Sequence, residues 1–576
     1  MVPVSASKTS LLSVLAPYWT SREKWGAWGL LGLLIVLLFI RTGLQVVFLI
    51  YGGELTSALA AQDSNRFSQA VVIFAGILIV SVPFASASGY VRAKLGLFWR
   101  TWLACHYLDK YLSGQTFYKL RLKSDIDNPA QRIEEDIRTL TQESLKVFEI
   151  VVESGLQLIG FAGLLWSISQ PLMVFLWVYS LVGSAIALFC FGRPLIRVNA
   201  EQLKREADFR YELARIRENT EAIALYRGES QEFSQSWHQF NRVVHNFTHL
   251  IRWQLGLNLF QNHYRYATFI IPGIILAPRL FSGELEIGDV TQAGTAFTLT
   301  LTALALIVLQ LQKLTSLGAA AQRLEQLQTA LLSLPSLVPA LSSQERNNSN
   351  PSIIFRQAGS SLEIENLSLT TPDGEKQLIQ ELSLSLPIGK SLLIMGPSGV
   401  GKSSLLRAIS GLWATGQGSI TCPDQIAFIP QQPYLPPGSF KSSLLYPYSE
   451  LWSEPLESSP FNLETEKVHQ LLEQVNLPRL LAYPLENPLP VSLSLGEQQR
   501  LAFARILIHA PKYAILDEAT SALDLANEAR LYQQLQQNNI ATISIGHRPS
   551  LKRYHNQLLT LSSDGSWKYD MITGPK

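Results

Sequence analysis

Six stretches of this chain are apolar for long enough to cross a bilayer, and all of them end before residue 312. They run roughly over 27–50, 68–90, 147–168, 172–193, 258–279 and 289–311. A span needs about 20 apolar residues, and inside hydrocarbon each segment must satisfy its own backbone polar groups, so each stretch is predicted to be a helix. Of the 576 residues, 47% are hydrophobic and only 16% charged, a low charge content for a soluble protein. Basic residues orient the spans. Lys8, Arg22 and Lys24 precede the first, Arg92, Lys94, Arg100, Lys110, Lys119, Arg121 and Lys123 follow the second, and Arg193, Arg197, Lys204 and Arg205 follow the fourth. The opposite loops hold Arg66 and Arg279. Positive charge gathers on the cytosolic side, which puts both termini in the cytosol.

The first 25 residues lack a basic region followed by an apolar core, so no cleavable signal peptide is expected. Leu11, Leu12, Val14, Leu15, Tyr18 and Trp19 cluster at helical spacing, which predicts an interfacial elbow helix over 1–25. The membrane domain is expected over 26–330. Polar stretches of helical periodicity between spans two and three, and four and five, read as helices continuing into the cytosol. The polar run Leu341–Pro351 marks a linker, placed at 331–360, and a second domain is expected over 361–576. A net charge of +2 gives no field directed at nucleic acid. Cys105, Cys190 and Cys422 are far apart and match neither a metal spacing nor a disulfide framework.

The second domain carries a phosphate-binding pattern. Gly396, Pro397, Ser398, Gly399, Val400, Gly401, Lys402 and Ser403 match G-x-x-x-x-G-K-[ST], after the apolar run Ser391–Met395 and before a helical run from Ser404 to Ser410. Strand, glycine loop and helix are the context in which backbone amides and a helix N-terminus converge on an anion. Lys402 can reach outer phosphates, and Ser403, with Ser404 beside it, can approach Mg²⁺. Downstream, the apolar run Tyr513–Leu516 ends in Asp517 and Glu518. Asp517 is placed to hold Mg²⁺ and Glu518 to polarise an attacking water. His547 follows the apolar run Ile540–Ile545, where it can sit beside a γ-phosphate.

The segment Leu493-Ser494-Leu495-Gly496-Glu497-Gln498-Gln499-Arg500, taken with the P-loop, Gln431 and His547, resembles the signature of ABC ATPases, in that family's motif order over about 200 residues. The resemblance implies an α/β P-loop ATPase that binds ATP and Mg²⁺ and hydrolyses ATP as a translocase. It also implies that two ATPase domains close head to tail, Ser494 and the Gly496 amide of one capping the γ-phosphate held by the other. Gln431 would link Mg²⁺ to the membrane domain, and Asp524 matches the D-loop. With one membrane domain and one ATPase domain, the chain is half of such a machine, and its partner is a second half-transporter chain, most simply a copy of itself. Two positions depart from the family pattern. Leu495 and Glu497 replace the usual Gly and Gln, so position 495 cannot adopt a glycine-only backbone without strain, and Glu497 adds charge near a phosphate. The stretch Leu369–Gly374 has no aromatic residue to stack on adenine.

Leu97–Leu103, Asn128–Asp136 and Glu221–Glu229 look like the branch that joins peroxisomal acyl-CoA half-transporters to bacterial SbmA/BacA-like uptake proteins. That resemblance implies an α-helical, six-span, exporter-like membrane domain, multi-pass in the cytoplasmic (inner) membrane and surrounded by lipid. The expected function is ATP-driven movement of a hydrophilic solute, cobalamin- or peptide-like. A lipid or acyl-CoA exporter is one alternative, and an ATP-gated, channel-like ABC protein another. Polar faces inside the spans are the candidate solute contacts: Glu153 and Gln157 on the third, Gln261 and Arg265 on the fifth, and Thr291, Thr295, Thr298 and Thr302 on the sixth, where helix-to-helix hydrogen bonding is the equal alternative; Glu149 shares the face of the third but, near a span end, is expected at the membrane interface. Ionisable groups are costly against lipid, so such faces should look inward.

Overall fold

A computed structural model describes residues 7–123, 126, 128–309, 311–333, 353–357, 361–372, 374–413, 415–423, 426–447, 465–490 and 493–572, with backbone alone at 7–13, 193, 305–309 and 311–315. The chain divides into two compact units, residues 1–336 and 337–576.

The described part of the first unit is helical. In chain order the helices are α1 (Ser7–Thr20), α2 (Lys24–Ala60), α3 (Ser64–Leu112), α4 (Thr116–Lys123), α5 (Pro129–Gln131), α6 (Ile137–Ile168), α7 (Gln170–Ile186), α8 (Arg193–Glu218), α9 (Thr220–Tyr226), α10 (Glu229–Phe281), α11 (Ile287–Leu309) and α12 (Leu311–Ser333). Local chemistry sets the breaks. Asp63 caps α3 by accepting from the amides of Asn65 and Arg66. Ser169, in extended conformation, ends α6 and caps α7, whose first turn holds a proline; the missing N–H of proline costs nothing there. The runs Lys24–Ala60, Ser64–Arg121, Pro129–Ile168 and Gln170–Glu218 are long and apolar enough to cross a membrane. Helices α10 and α11 cover the two remaining apolar stretches.

Three apolar clusters lie in the described part of this unit, the smallest around Leu34, Leu38 and Val91. Val14 and Tyr18 of α1 pack with Trp99 and Leu103 of α3, Ile137 of α6 and Leu324 of α12. Phe161 and Leu165 of α6 pack with Leu172 and Leu176 of α7 and Phe297 of α11. Phe39, Val72, Ile79, Val178, Leu181 and Phe269 point outward instead, as a lipid-facing surface requires. Within the stretch 1–25 the described residues form the helix α1, with Tyr18 stacked on Trp99 at 5.9 Å between ring centroids.

The second unit holds two sheets. The strands are β1 (Ile354–Gln357), β2 (Leu362–Thr370), β3 (Gln377–Leu386), β4 (Leu392–Met395), β5 (Gly416–Cys422), β6 (Ile426–Ile429), β7 (Tyr513–Asp517), β8 (Ala541–Ile545), β9 (Gln557–Leu561) and β10 (Trp567–Met571). The helices are α13 (Lys402–Ile409), α14 (Phe440–Leu445), α15 (Thr465–Gln474), α16 (Leu495–His509) and α17 (Leu525–Gln537). One sheet has the order β1-β5-β2-β3, the other β10-β9-β4-β8-β7-β6. In the second sheet only the edge pair β10–β9 is antiparallel. Strand β8 is buried at every residue, which explains its unbroken apolar run in place of an alternating one. Strands β4, β6, β7 and β8 are parallel, so the loops that follow them emerge at one edge, the usual ligand edge of an open parallel sheet.

Residues 354–357 were expected in the linker. They form β1, paired in parallel with β5 from Ile354↔Ser419 to Gln357↔Cys422, and so belong to the sheet. The partner strand is remote in sequence, and a four-residue edge strand carries no periodicity of its own. The rest of the expected linker lies mainly outside the described residues.

Candidate nucleotide site

The P-loop joins β4 to α13. Gly396 has φ 150°, and a Cβ there would lie 2.4 Å from the Leu561 carbonyl oxygen. Gly401 has φ 101°, and its Cβ would meet that of Leu378 at 3.1 Å. Only glycine fits both backbone and space at these two corners. Val400 is buried, while Pro397, Ser398 and Gly399 are exposed, with a turn at Ser398 and Gly399. Lys402 opens α13 and donates from Nζ to the carbonyls of Gly396 at 2.9 Å and Pro397 at 2.7 Å. Burial lowers the pKa of this ammonium, and the Glu518 and Asp517 carboxylates oppose that shift. The next residue, Ser403, donates to Asp517 Oδ1 at 3.4 Å, and Ser404 follows on the same helix.

Asp517 ends β7. Burial pushes its carboxyl above the ordinary range and the neighbouring Glu518 adds to the shift. Glu518 takes a left-handed backbone, φ 49°, with its amide donating to the Ile545 carbonyl at 3.2 Å. That turn aims the side chain along the sheet edge. Its Oε1 lies 3.2 Å from His547 Nε2, and its Oε2 accepts from Gln431 Nε2 at 3.2 Å. The ends of β6, β7 and β8 thus bring Gln431, Glu518 and His547 together.

The signature segment sits elsewhere in the unit. Ser494 caps α16: its hydroxyl accepts from the Glu497 amide at 3.3 Å, while Glu497 Oε2 accepts from the Ser494 amide at 2.8 Å. This reciprocal pair is a capping box. Leu495 is the first helical residue and is not among the positive-φ residues, so no glycine-only conformation is demanded there. Glu497 is held below the usual carboxylate range, chiefly by the Ser494 amide, and Arg479 lies 3.8 Å away. The departure at 497 therefore has a local use in starting the helix, and the one at 495 sits in ordinary helical backbone. A Cβ at Gly496 would lie 3.1 Å from the Ala522 carbonyl oxygen, so α16 begins against the loop that leads to Asp524. Asp524 caps α17 by accepting from the Asn527 amide at 2.7 Å. Among the described residues no hydrogen bond joins Ser494, Gly496 or Asp524 to the P-loop.

Three further residues tie these parts together. Gln499 donates to the Gln431 carbonyl and to Ser521 Oγ, both at 3.2 Å, and accepts from the Ala522 amide. Arg548 donates to the carbonyls of Leu523 at 2.9 Å and Ser521 at 3.3 Å, and to buried Glu528 at 3.2 Å. Glu528 also accepts from Thr520 and Ser550. Gln499 lay inside the signature run and Arg548 next to His547, so adjacency to a motif was the available signal for both. At the adenine position, Thr371 sits in the turn after β2, its hydroxyl accepting from the Lys376 amide. The nearby Trp413 donates to the Thr370 carbonyl at 3.1 Å, with its ring against the core.

In the membrane unit the polar faces separate into two groups. Glu149 and Glu153 pair with Arg41 at 3.8 and 3.3 Å, Glu149 also with Arg92, and Gln157 donates to Gln45 at 3.2 Å. Together they form a charge-matched junction of α2, α3 and α6. Arg41 stood alone in an apolar run and its partners were not foreseen. Gln261, Arg265, Thr298 and Thr302 do share a cavity, about 260 Å³ in volume. Thr291 and Thr295 are not among its walls; their hydroxyls donate back to the carbonyls of Ile287 and Thr291.

The nucleotide site can be tested for fit. The narrow glycine corners leave backbone where side chains would block a phosphate. Ser403, Asp517, Glu518 and Gln431 supply oxygen donors, the kind a hard cation takes. Among the described residues no three His, Cys, Asp or Glu side chains form a cluster that could hold a metal alone, and Mg²⁺ characteristically relies on one or two protein oxygens plus phosphate. Both groups fit.

A glycine loop between parallel strand and helix, with two carboxylates, a glutamine and a histidine at the ends of neighbouring strands, in a chain whose other unit is apolar and helical, defines a membrane-bound P-loop ATPase. The ABC transporter transmembrane region 2 family matches residues 11–281, and the ABC transporter family matches residues 379–521. The chain is 41% identical to an uncharacterized ABC transporter ATP-binding protein of Synechocystis sp., covering 96% of this chain and 83% of that protein. It is 37% identical to the chloroplastic ABC transporter D family member 2 of Arabidopsis thaliana, over 96% and 85% of the two chains. It is 29% identical to the lysosomal cobalamin transporter of Homo sapiens, over 97% and 95%. The chain belongs to the ABC transporter family. It is a half-transporter, a helical membrane domain fused to an ABC ATPase domain, which binds ATP and couples its hydrolysis to transport. Half-transporters work as dimers.

Proposed function

We propose that two copies of this chain, each spanning the cytoplasmic membrane six times with both termini cytosolic, move a hydrophilic solute at the expense of ATP and Mg²⁺. The observation that carries the solute class is the cavity bounded by Gln261, Arg265, Thr298 and Thr302. Side chains that can bond a polar solute gather there inside helices that otherwise face lipid with Phe, Val and Ile. Cobalamin, named for the human relative, belongs to this class.

The geometry supports the following catalytic roles. The loop from Gly396 to Ser404 holds the phosphates, with Lys402 leaving its carbonyl partners for them. Ser403 and Asp517, with Gln431, are the residues to hold Mg²⁺, which when bound screens phosphate charge. Glu518 takes the proton of the attacking water. His547 and Gln431 fix its two carboxylate oxygens, which costs no reorganisation at the moment of reaction. Ser494, Gly496 and Asp524 lie at helix N-termini and, among the described residues, make no hydrogen bond to their own P-loop, as is needed if they cap the nucleotide of a second copy. Helix N-termini suit an anion.

The test is uptake into right-side-out and inside-out vesicles with cobalamin, a short peptide and an acyl-CoA, beside Glu518→Gln vesicles. ATP-dependent movement of cobalamin or peptide that is absent in Glu518→Gln is expected. Movement of acyl-CoA alone would replace this reading with a lipid-type exporter. ATP turnover with no movement of any solute would favour a gating protein.

A further inference from the structure

Arg265 stands apart from the other arginines of the membrane unit that meet carboxylates. Arg41 and Arg92 are held by Glu149 and Glu153, Arg66 by Glu54 and Glu286, and Arg279 by Glu284. Arg265 makes no ion pair among the described residues. It donates to Asn262 Oδ1 at 3.0 Å and lies 5.5 Å from the Tyr266 ring centroid. The reason is written in the helices. After Glu232, α10 contains no Asp or Glu, α7 contains none, and α11 has Asp289 alone, whose carboxylate accepts from the Glu286 amide.

Among the described residues Arg265 is also the one charged residue lining the 260 Å³ cavity between α7, α10 and α11. Its neighbours there are Gln261, Asn262, Thr298 and Thr302, with Phe260 and Tyr264 as aromatic walls. Those walls are stiff. The Tyr179 and Tyr264 rings stack at 4.3 Å and 4°, and each hydroxyl donates to the other's carbonyl at 2.8 Å. Phe260 stacks on Tyr264 at 5.7 Å and Phe191 on Phe260 at 5.8 Å. A cation in a membrane span without a protein counter-charge is expensive to retain and marks a ligand path. A guanidinium offers a planar fork matched to a carboxylate or phosphate.

We propose that this cavity is a binding site for the anionic, ring-bearing end of an otherwise hydrophilic solute, Arg265 taking the anion and Phe260 and Tyr264 the flat ring beside it. The inference rests on the transport reading for its purpose, but the binding it asserts needs no turnover. Ordinary ligand sites have about 300–1,000 Å³, so this cavity accepts one end of a solute, of about the size of a fused bicyclic acid. The Glu149 junction differs, because Arg41 and Arg92 there are already paired with protein carboxylates.

The test is calorimetric binding to the full chain in nanodiscs, without nucleotide, against empty nanodiscs. The probes are 2-naphthoate and its neutral isostere 2-naphthamide. Naphthoate should bind wild type at least about 10-fold more tightly than the amide. Arg265→Gln should erase that difference, and Arg265→Lys should keep part of it. Size-exclusion profile and nucleotide binding report whether each variant is folded. Equal affinities in wild type, no naphthoate binding above empty nanodiscs, or a preference that survives in folded Arg265→Gln would each overturn the assignment. Binding with this pattern in a protein that moves no solute would leave the site standing and remove the transport reading.

Discussion

Arg548 and Glu528 meet at 3.2 Å, linking the turn after β8 to the helix that follows the β7 turn. Glu528 is buried and Arg548 partly exposed. The same guanidinium holds the Ser521 and Leu523 carbonyls, so one side chain fixes the loop that runs from Glu518 to Asp524. Removing it leaves a buried carboxylate with only hydroxyl partners. Breaking fully buried pairs costs about 3–5 kcal/mol, and partial exposure reduces this. Arg548→Ala is therefore expected to destabilise the ATPase domain by about 1–3 kcal/mol, and Glu528→Gln, which keeps the Thr520 and Ser550 bonds, by less. Urea unfolding of the two variants checks the order. In ATPase assays kcat should fall more than KM rises, since the P-loop is untouched.

Glu518→Gln preserves shape and the Gln431 and His547 neighbours but cannot accept a proton. ATP binding should survive while hydrolysis falls by about 10²–10⁴-fold, the range for a positioned general base. Turnover at the parent rate in a steady-state phosphate-release assay would remove Glu518 from that role.

Ser494 separates two effects. Ser494→Ala loses the side-chain half of the capping box and should cost about 1 kcal/mol of helix stability with hydrolysis reduced but present. Ser494→Arg puts bulk where a second copy's nucleotide is expected and should abolish hydrolysis. A heterodimer of Ser494→Arg with Lys402→Ala should recover at most one intact site. Full ATPase in the Ser494→Arg homodimer would contradict head-to-tail closure.

His555 gives a pH dependence. It is buried, its Nδ1–H donates to the Leu551 carbonyl at 2.7 Å, and its Nε2 accepts from Ser544 Oγ at 2.8 Å. Burial lowers its pKa to about 4. The neutral form is favoured in the fold, so its full contribution is present above the ordinary histidine range near pH 6.5. Below that the unfolded chain takes up a proton the folded one refuses, and stability is lost progressively down to about pH 4, in total on the order of 3 kcal/mol. His555→Gln should show a shallower loss of stability across that window in denaturant titrations. Identical slopes would mean that other groups cause the acid limb.

The sequence determined the two-part, helix-then-α/β class by itself. Long apolar runs leave the backbone no option but helix in lipid, and the glycine loop requires a strand before it and a helix after it. Both are local demands, legible in adjacent residues. It also named the chemistry-bearing residues, because Gly396–Ser404, Asp517–Glu518 and Ser494–Gly496 are each short and contiguous. Only the tertiary structure decided which of them meet. Gln431, Glu518 and His547 share an edge because β6, β7 and β8 are parallel neighbours, and no local pattern encodes strand order. Likewise β1 was invisible until its pairing with β5 was seen. The structure turned Glu497 from an anomaly into half of a capping box. It showed Glu149 and Glu153 paired with Arg41 and Arg92, while Arg265, on a helix face of the same apparent kind, makes no ion pair among the described residues. Ion pairing depends on what a neighbouring helix presents across a few ångströms, and helical spacing within one segment carries no information about the next.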